Sequence, residues 1–241
     1  MEKGGVDMFN NKYSKTLTVV LIIVIVIIIG LLIFFGIRVY RKYYIKQAAT
    51  DAVDQFKNML NETAEDPTDE NNTILNDVGP TIDLNTLYQD NQPTDDNEDD
   101  ESGGITYMGY DVIGYIEIPA TDVEYPIIPD YQGSINALNV GIVKLYPGND
   151  SLNKPGNTVL AGHNYRDGSF FSNNKRLQEG DKIYITDVSG ERVEYEIYKK
   201  YETSTSDSSY MNRDTEGRRE ISLTTCTDDT SARLIIWAWE V

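Results

Sequence analysis

The chain has 241 residues, 40% apolar and 25% charged, with a formal net charge of −18, one cysteine and one histidine. Such acidity, with basic residues gathered only around one apolar run near the N-terminus, excludes a nucleic-acid-binding role. A single thiol cannot close an intramolecular disulfide, so the chain is not a disulfide scaffold and pairing says nothing of its redox compartment.

Residues 1–15 make a short tail. Residues 16–37, TLTVVLIIVIVIIIGLLIFFGI, contain no charge; as a helix they would extend about 33 Å, enough for a bilayer core of roughly 30 Å. A cleaved signal peptide has a shorter apolar region, about 7–15 residues, so an uncleaved transmembrane anchor is expected. No face of the run is polar, which argues against a core helix. Lys3, Lys12 and Lys15 precede it, and Arg38, Arg41, Lys42 and Lys46 follow. Three against four does not orient the span by the positive-inside rule.

Residues 38–60 read as a juxtamembrane helix. Ala48, Ala49, Ala52, Val53, Phe56, Met59 and Leu60 fall on one stripe at helical spacing, suited to lipid or a partner surface. Residues 61–104 read as an acidic disordered linker: between 50 and 104 there are 16 acidic residues and one base, Lys57. Self-repulsion makes this stretch a spacer, and the domain beginning near Ile105 is expected to work without it.

From Ile105 onward the pattern is that of strands. Residues 112–118 and 123–128 are expected strands, 134–139 a short helix, 158–161 a strand, 170–177 a helical turn or two, and 182–186 a strand. Residues 193–198 alternate, with Val193, Tyr195 and Ile197 on one face. Residues 204–218 read as a polar loop between that strand and the last two, 220–226 and 233–239. Seven or eight short strands with few helices indicate a closed barrel or a sandwich, mostly β, large enough for its own core.

Three side chains suggest chemistry. Cys226 ends a strand, Arg233 opens the next one, and His163 follows the strand 158–161. A thiol attacks carbonyl carbon as the thiolate, so it needs a nearby base or a lowered pKa. An imidazole can serve there and later protonate the leaving amine. A guanidinium, always charged, suits the oxyanion of the tetrahedral intermediate. By itself a lone cysteine is more often a small buried apolar residue.

The motifs carry the assignment further. Ser222-Leu223-Thr224-Thr225-Cys226, Gly162-His163-Asn164 with Phe170-Phe171, and Arg233-Leu234-Ile235-Ile236 stand in this order. Upstream lie Gly114-Tyr115-Ile116-Glu117-Ile118-Pro119 and Tyr125-Pro126-Ile127. Residues 105–241 thus resemble the sortases, membrane-anchored cysteine transpeptidases of Gram-positive bacteria. Ser222 stands where the family's signature has threonine, a departure that keeps the hydroxyl.

The resemblance implies an eight-stranded sortase β-barrel with short helices, preceded by the transmembrane helix. It implies cleavage of a sorting signal of the Leu-Pro-x-Thr-Gly type on a surface protein. Cys226 would form a thioester, His163 would act as general acid/base, and Arg233 would stabilise the oxyanion or the substrate. Thr225 is a further candidate for substrate contact. An amine from a peptidoglycan precursor or a pilin lysine would resolve the thioester. The implied placement is the cell membrane, single-pass, N-terminus inside and catalytic domain outside. A class A-like or class D-like member is favoured.

No cofactor is expected. The resemblance allows calcium near the loop 204–218, where Asp207, Asp214 and Glu216 are acidic, but surface acids are common and do not support a metal. Two other readings stay open at the level of residues: a non-enzymatic membrane-tethered β-domain that binds a surface ligand, and a hydrolytic cysteine peptidase.

Overall fold

The computed structural model describes residues 12–65, 104–130, 134–149 and 151–241. The tail up to residue 11 and the linker from 66 to 103 lie outside the described residues. One helix, α1, runs Lys12–Glu65 without a break, so residues 61–65, read as the start of the linker, are helical. The chain divides into two compact units, Met1–Ala48 and Ala49–Val241.

In the first unit α1 is apolar all round, with exposed side chains from Leu17 to Val39. None of its apolar run is buried, and by length and composition the helix can cross a membrane.

The second unit is a barrel with the end of α1 against it. A two-strand hairpin, β1 (Thr106–Tyr107) and β2 (Tyr110–Asp111), precedes eight strands. These are β3 (Gly114–Ile118), β4 (Val123–Pro129), β5 (Ile142–Tyr146), β6 (Gly156–Ala161), β7 (Lys182–Asp187), β8 (Arg192–Ser204), β9 (Arg219–Cys226) and β10 (Ala232–Glu240). They close in the order β10-β8-β7-β3-β4-β5-β6-β9. Neighbours are antiparallel except β4–β5 and β6–β9, which are parallel. A short helix, α2 (Ser134–Leu138), leads into β5.

Cross-strand partners share a face of the sheet, so register says which side chains meet. Leu160, Leu223 and Ile236 form one inward rung, and all are buried. The next residues along each strand, Val159, Ser222 and Trp237, form a rung on the outer face. Strand β5 was not foreseen, because Lys144 interrupts its short apolar run. In the fold Lys144 is 1% exposed: its ammonium donates to Pro147 O at 2.6 Å and to Asn149 Oδ1 at 3.1 Å. A lysine so supplied with acceptors behaves as a strand residue despite its charge.

The stripe on α1 is covered by this same chain, not left for lipid. Ala49, Ala52, Val53 and Phe56 are all buried. Phe56 meets Tyr115 of β3 edge-on, ring centroids 5.6 Å apart. Lys57 reaches Glu124 of β4 at 2.5 Å and lies over the Tyr115 ring. The ion pair is half exposed and contributes at most about 1 kcal/mol. Burial of Phe56 alone is worth about 1.5–3 kcal/mol, so apolar contact holds the helix in place.

Candidate active site

The site is assembled by two strand pairings. In the parallel pair β6–β9, Ala161 stands opposite Thr224, and Gly162 N extends the ladder to Thr224 O at 3.2 Å. Two residues on from Ala161 comes His163, and two on from Thr224 comes Cys226. In the antiparallel pair β9–β10, Cys226 stands directly opposite Arg233. Parallel register on one side and antiparallel register on the other therefore bring residues 163, 226 and 233 to one end of the barrel. Cys226 and Arg233 are close along the chain, but no spacing could show that His163, which lies far earlier in the sequence, joins them.

The contacts agree with that register. Arg233 Nη1 donates to Cys226 Sγ. Burial, and next the Arg233 charge, hold the His163 pKa below its ordinary 6.5. The imidazole is thus neutral at pH 7 and can accept a proton. His163 also packs on Tyr165, ring centroids 4.9 Å apart. Gly162 precedes it for a steric reason. A Cβ there would sit 2.7 Å from Ile142 Cδ1 and 2.9 Å from the Phe171 ring, so only glycine lets the strand pass.

Cys226 and Arg233 are half-buried, and Thr225 is buried facing the opposite side of the sheet. Among the described residues the Thr225 hydroxyl has no hydrogen-bond partner. Thr225 and Cys226 both line a cavity of about 320 Å³ at the barrel mouth.

Two loop networks support the site and were not recognised as a group from sequence. Asn164 Nδ2 donates to Cys226 O and to Asp228 Oδ1, both at 3.0 Å. Asp228 is in turn paired with Lys175 at 2.5 Å. These contacts tie the segment after the histidine to the segment after the cysteine. Only Asn164, beside His163, had a local signal.

The second network fastens the loop 205–218. Asn157 Nδ2 donates to Tyr210 O and Met211 O, both at 2.9 Å. Glu220, its side chain fully buried, accepts from Tyr198 OH at 2.7 Å and pairs with Arg213 and Arg218. Tyr210 thereby covers Val159 and Ile235 on the outer face, next to the rung that carries Cys226. The acids in this loop make local contacts. Asp207 accepts from Thr203 Oγ1 at 2.5 Å and from Ser209 N at 2.8 Å, and Asp214 accepts from Glu216 N at 2.8 Å. Among the described residues no group of three or more His, Cys, Asp or Glu is arranged to hold a metal.

A family model described as the sortase domain matches residues 116–241, just over half of the chain. The chain belongs to the sortase family. Sortase A of Bacillus anthracis is 35% identical over 128 residues, which cover 52% of this chain and 58% of that protein. Sortase A of Staphylococcus aureus is 29% identical over 128 residues, covering 52% and 60%. This sortase thus aligns with less than two thirds of the length of these relatives. Among solved structures, sortase A from Corynebacterium diphtheriae aligns at 30% identity over 55% of this chain and 61% of that one, with a TM-score of 0.48.

The charge of Arg233 leads to a direct test, since the sole histidine gives an unambiguous NMR titration. His163 is expected to titrate below 6.5. Arg233→Gln should move that pKa upward but not past 6.5, because burial, the larger cause, remains. The acid limb of kcat/KM should move up with it, while Arg233→Lys leaves both in place. An unchanged titration in Arg233→Gln would show that the guanidinium does not act on the imidazole.

Proposed function

We propose that this sortase is a cysteine transpeptidase that cleaves a Leu-Pro-x-Thr-Gly-like sorting signal and transfers the protein to an amine acceptor. The observation that carries this is the meeting of the only thiol, the only imidazole and Arg233 at one half-exposed end of the β6–β9–β10 sheet. Cys226 attacks the threonyl carbonyl, with His163 taking the thiol proton. Arg233, already against the sulfur, lies where negative charge develops on the carbonyl oxygen. His163 then gives its proton to the leaving glycyl amine, and the acyl group remains on Cys226 as a thioester. An amine such as that of a peptidoglycan precursor or a pilin lysine completes the transfer. The apolar helix would anchor the enzyme in the cell membrane with its N-terminus inside and the barrel outside.

Incubating the protein with a Leu-Pro-x-Thr-Gly peptide, with and without triglycine, tests this by mass spectrometry. A protein adduct equal to the acyl fragment and a triglycine-ligated peptide are expected. A folded protein that gains no adduct across a panel of sorting-motif variants would instead support a binding module.

A further inference from the structure

A second cleft, sharing no residue with the candidate active site, lies between the end of α1 and the turn that joins β7 to β8. It falls wholly within the barrel unit, and its volume of about 840 Å³ is in the range of small-molecule sites. Its floor is one rung: Tyr115 of β3 stands opposite Thr186 of β7, and Thr186 stands opposite Arg192 of β8. Cross-strand partners share a face, and on this face Phe56 meets Tyr115, so the rung looks toward α1. Lys57, Met59 and Leu60 form the facing wall. A Cβ on Gly190 would stand 3.5 Å from Leu60 Cδ2, so the β7–β8 turn comes within contact of the helix.

The polar groups of this cleft are incompletely used. Thr186 is 3% exposed, and among the described residues its hydroxyl has no hydrogen-bond partner. A buried hydroxyl left unmet is costly, so a polar atom brought in through the cleft would be favoured. Arg192 stands on one side of it; on the other, Lys57 lies over the Tyr115 ring, 5.2 Å from its centroid. Arg192 pairs with Glu117 and Lys57 with Glu124, and neither glutamate lines the cleft. A guanidinium has five N–H donors and an ammonium three, so both cations keep donors to offer. The remaining wall is apolar, and its Val188 is 57% exposed.

We propose that this cleft binds an aliphatic carboxylate, a single anionic head on an apolar chain. The head accepts hydrogen bonds from Arg192, Lys57 and the Thr186 hydroxyl, and the chain lies along Met59, Leu60 and Val188. Charge favours a carboxylate over a phosphate monoester. The two cations already answer two glutamates, so one added negative charge is matched better than nearly two. Lys57 belongs to α1 and Arg192 to β8, so the bound anion ties the helix end to the barrel. Occupancy therefore raises the melting temperature.

The test uses the full chain in nonionic detergent micelles with hexanoate as the probe, read by NMR on the Met59 and Thr186 methyl groups. Saturable shifts of both are expected, with a dissociation constant of about 1 mM or below. Acetate has the head without the chain, and hexanamide the chain without the charge; each should bind at least about 10-fold more weakly. Arg192→Gln should weaken hexanoate about 10-fold and Thr186→Val about 3-fold, both read on Met59. At about ten times the dissociation constant, hexanoate should raise Tm by roughly 3–6 °C in the wild type, and by no more than about 2 °C in Arg192→Gln. Lys57→Met, which leaves the rung untouched, should weaken binding about 3-fold and decides the matter if Arg192→Gln loses its fold. Absence of saturable shifts, acetate binding as well as hexanoate, or unchanged affinity in the folded cation variants overturns the site. Tighter binding by hexyl phosphate overturns the choice of a carboxylate.

Discussion

Cys226→Ala is expected to abolish cleavage of a sorting peptide, and His163→Ala to reduce it at least about 10³-fold, with far-UV circular dichroism unchanged in both. The reason is chemical and also numerical. The chain has one thiol and one imidazole, so no neighbouring side chain of the same kind can substitute. Neither residue belongs to the core: both are half-buried at strand ends, and losing either side chain opens no large cavity. Stability should therefore be preserved while acyl transfer is lost. The double variant should be no worse than Cys226→Ala alone, because a base with no nucleophile to activate contributes nothing to that step. Peptide cleavage followed by mass spectrometry decides the matter. Wild-type turnover by Cys226→Ala would remove the thioester from any account of this protein.

The second large effect concerns stability and lies at the opposite end of the domain's sequence. Phe56→Ala should cost about 3–5 kcal/mol, since the ring is 1% exposed and packs on Tyr115. For a domain of this size each kcal/mol shifts Tm by about 2–4 °C, so a fall of roughly 6–20 °C is expected. Lys57→Met, which removes the exposed pair with Glu124, should change stability by less than about 1 kcal/mol. A soluble chain beginning at Ala49 should melt as a stable unit. One beginning at Ile105 leaves uncovered the barrel surface that Phe56 occupies, and should melt lower or aggregate. Coincident melting of those two chains would show that the helix contributes nothing to the fold.

This second prediction departs from the sequence-based expectation that a domain starting near Ile105 stands by itself. The stripe of Ala49, Ala52, Val53 and Phe56 was legible at helical spacing, but its target was not. An amphipathic stripe states only that something apolar covers it, and a transmembrane run nearby made lipid a natural choice. Strands with regular alternation, such as that around Val193, Tyr195 and Ile197, were equally legible. Strand β5 was not, because the acceptors that neutralise the cost of burying Lys144 come from the turn that follows it. The polar loop 205–218 was recognised as a loop, yet its fastening depends on Asn157 and Glu220, which lie on different strands.

By itself the sequence determined the chemistry available to this protein: one thiol, one imidazole, a guanidinium seven residues beyond the cysteine, and an apolar run long enough to cross a bilayer. Residue types and local periodicity are properties of short segments, so they can be read without a fold. Only the tertiary structure decided that these groups meet. His163 is brought to the same barrel end as Cys226 by a parallel strand pairing across some sixty residues of chain, and such pairing is set by closure of the whole barrel. The same closure sets Glu202, Leu234 and Thr225 on one rung at that end of the barrel, on the face opposite to Cys226. That rung is a matter of register between strands, and no short stretch of sequence contains it.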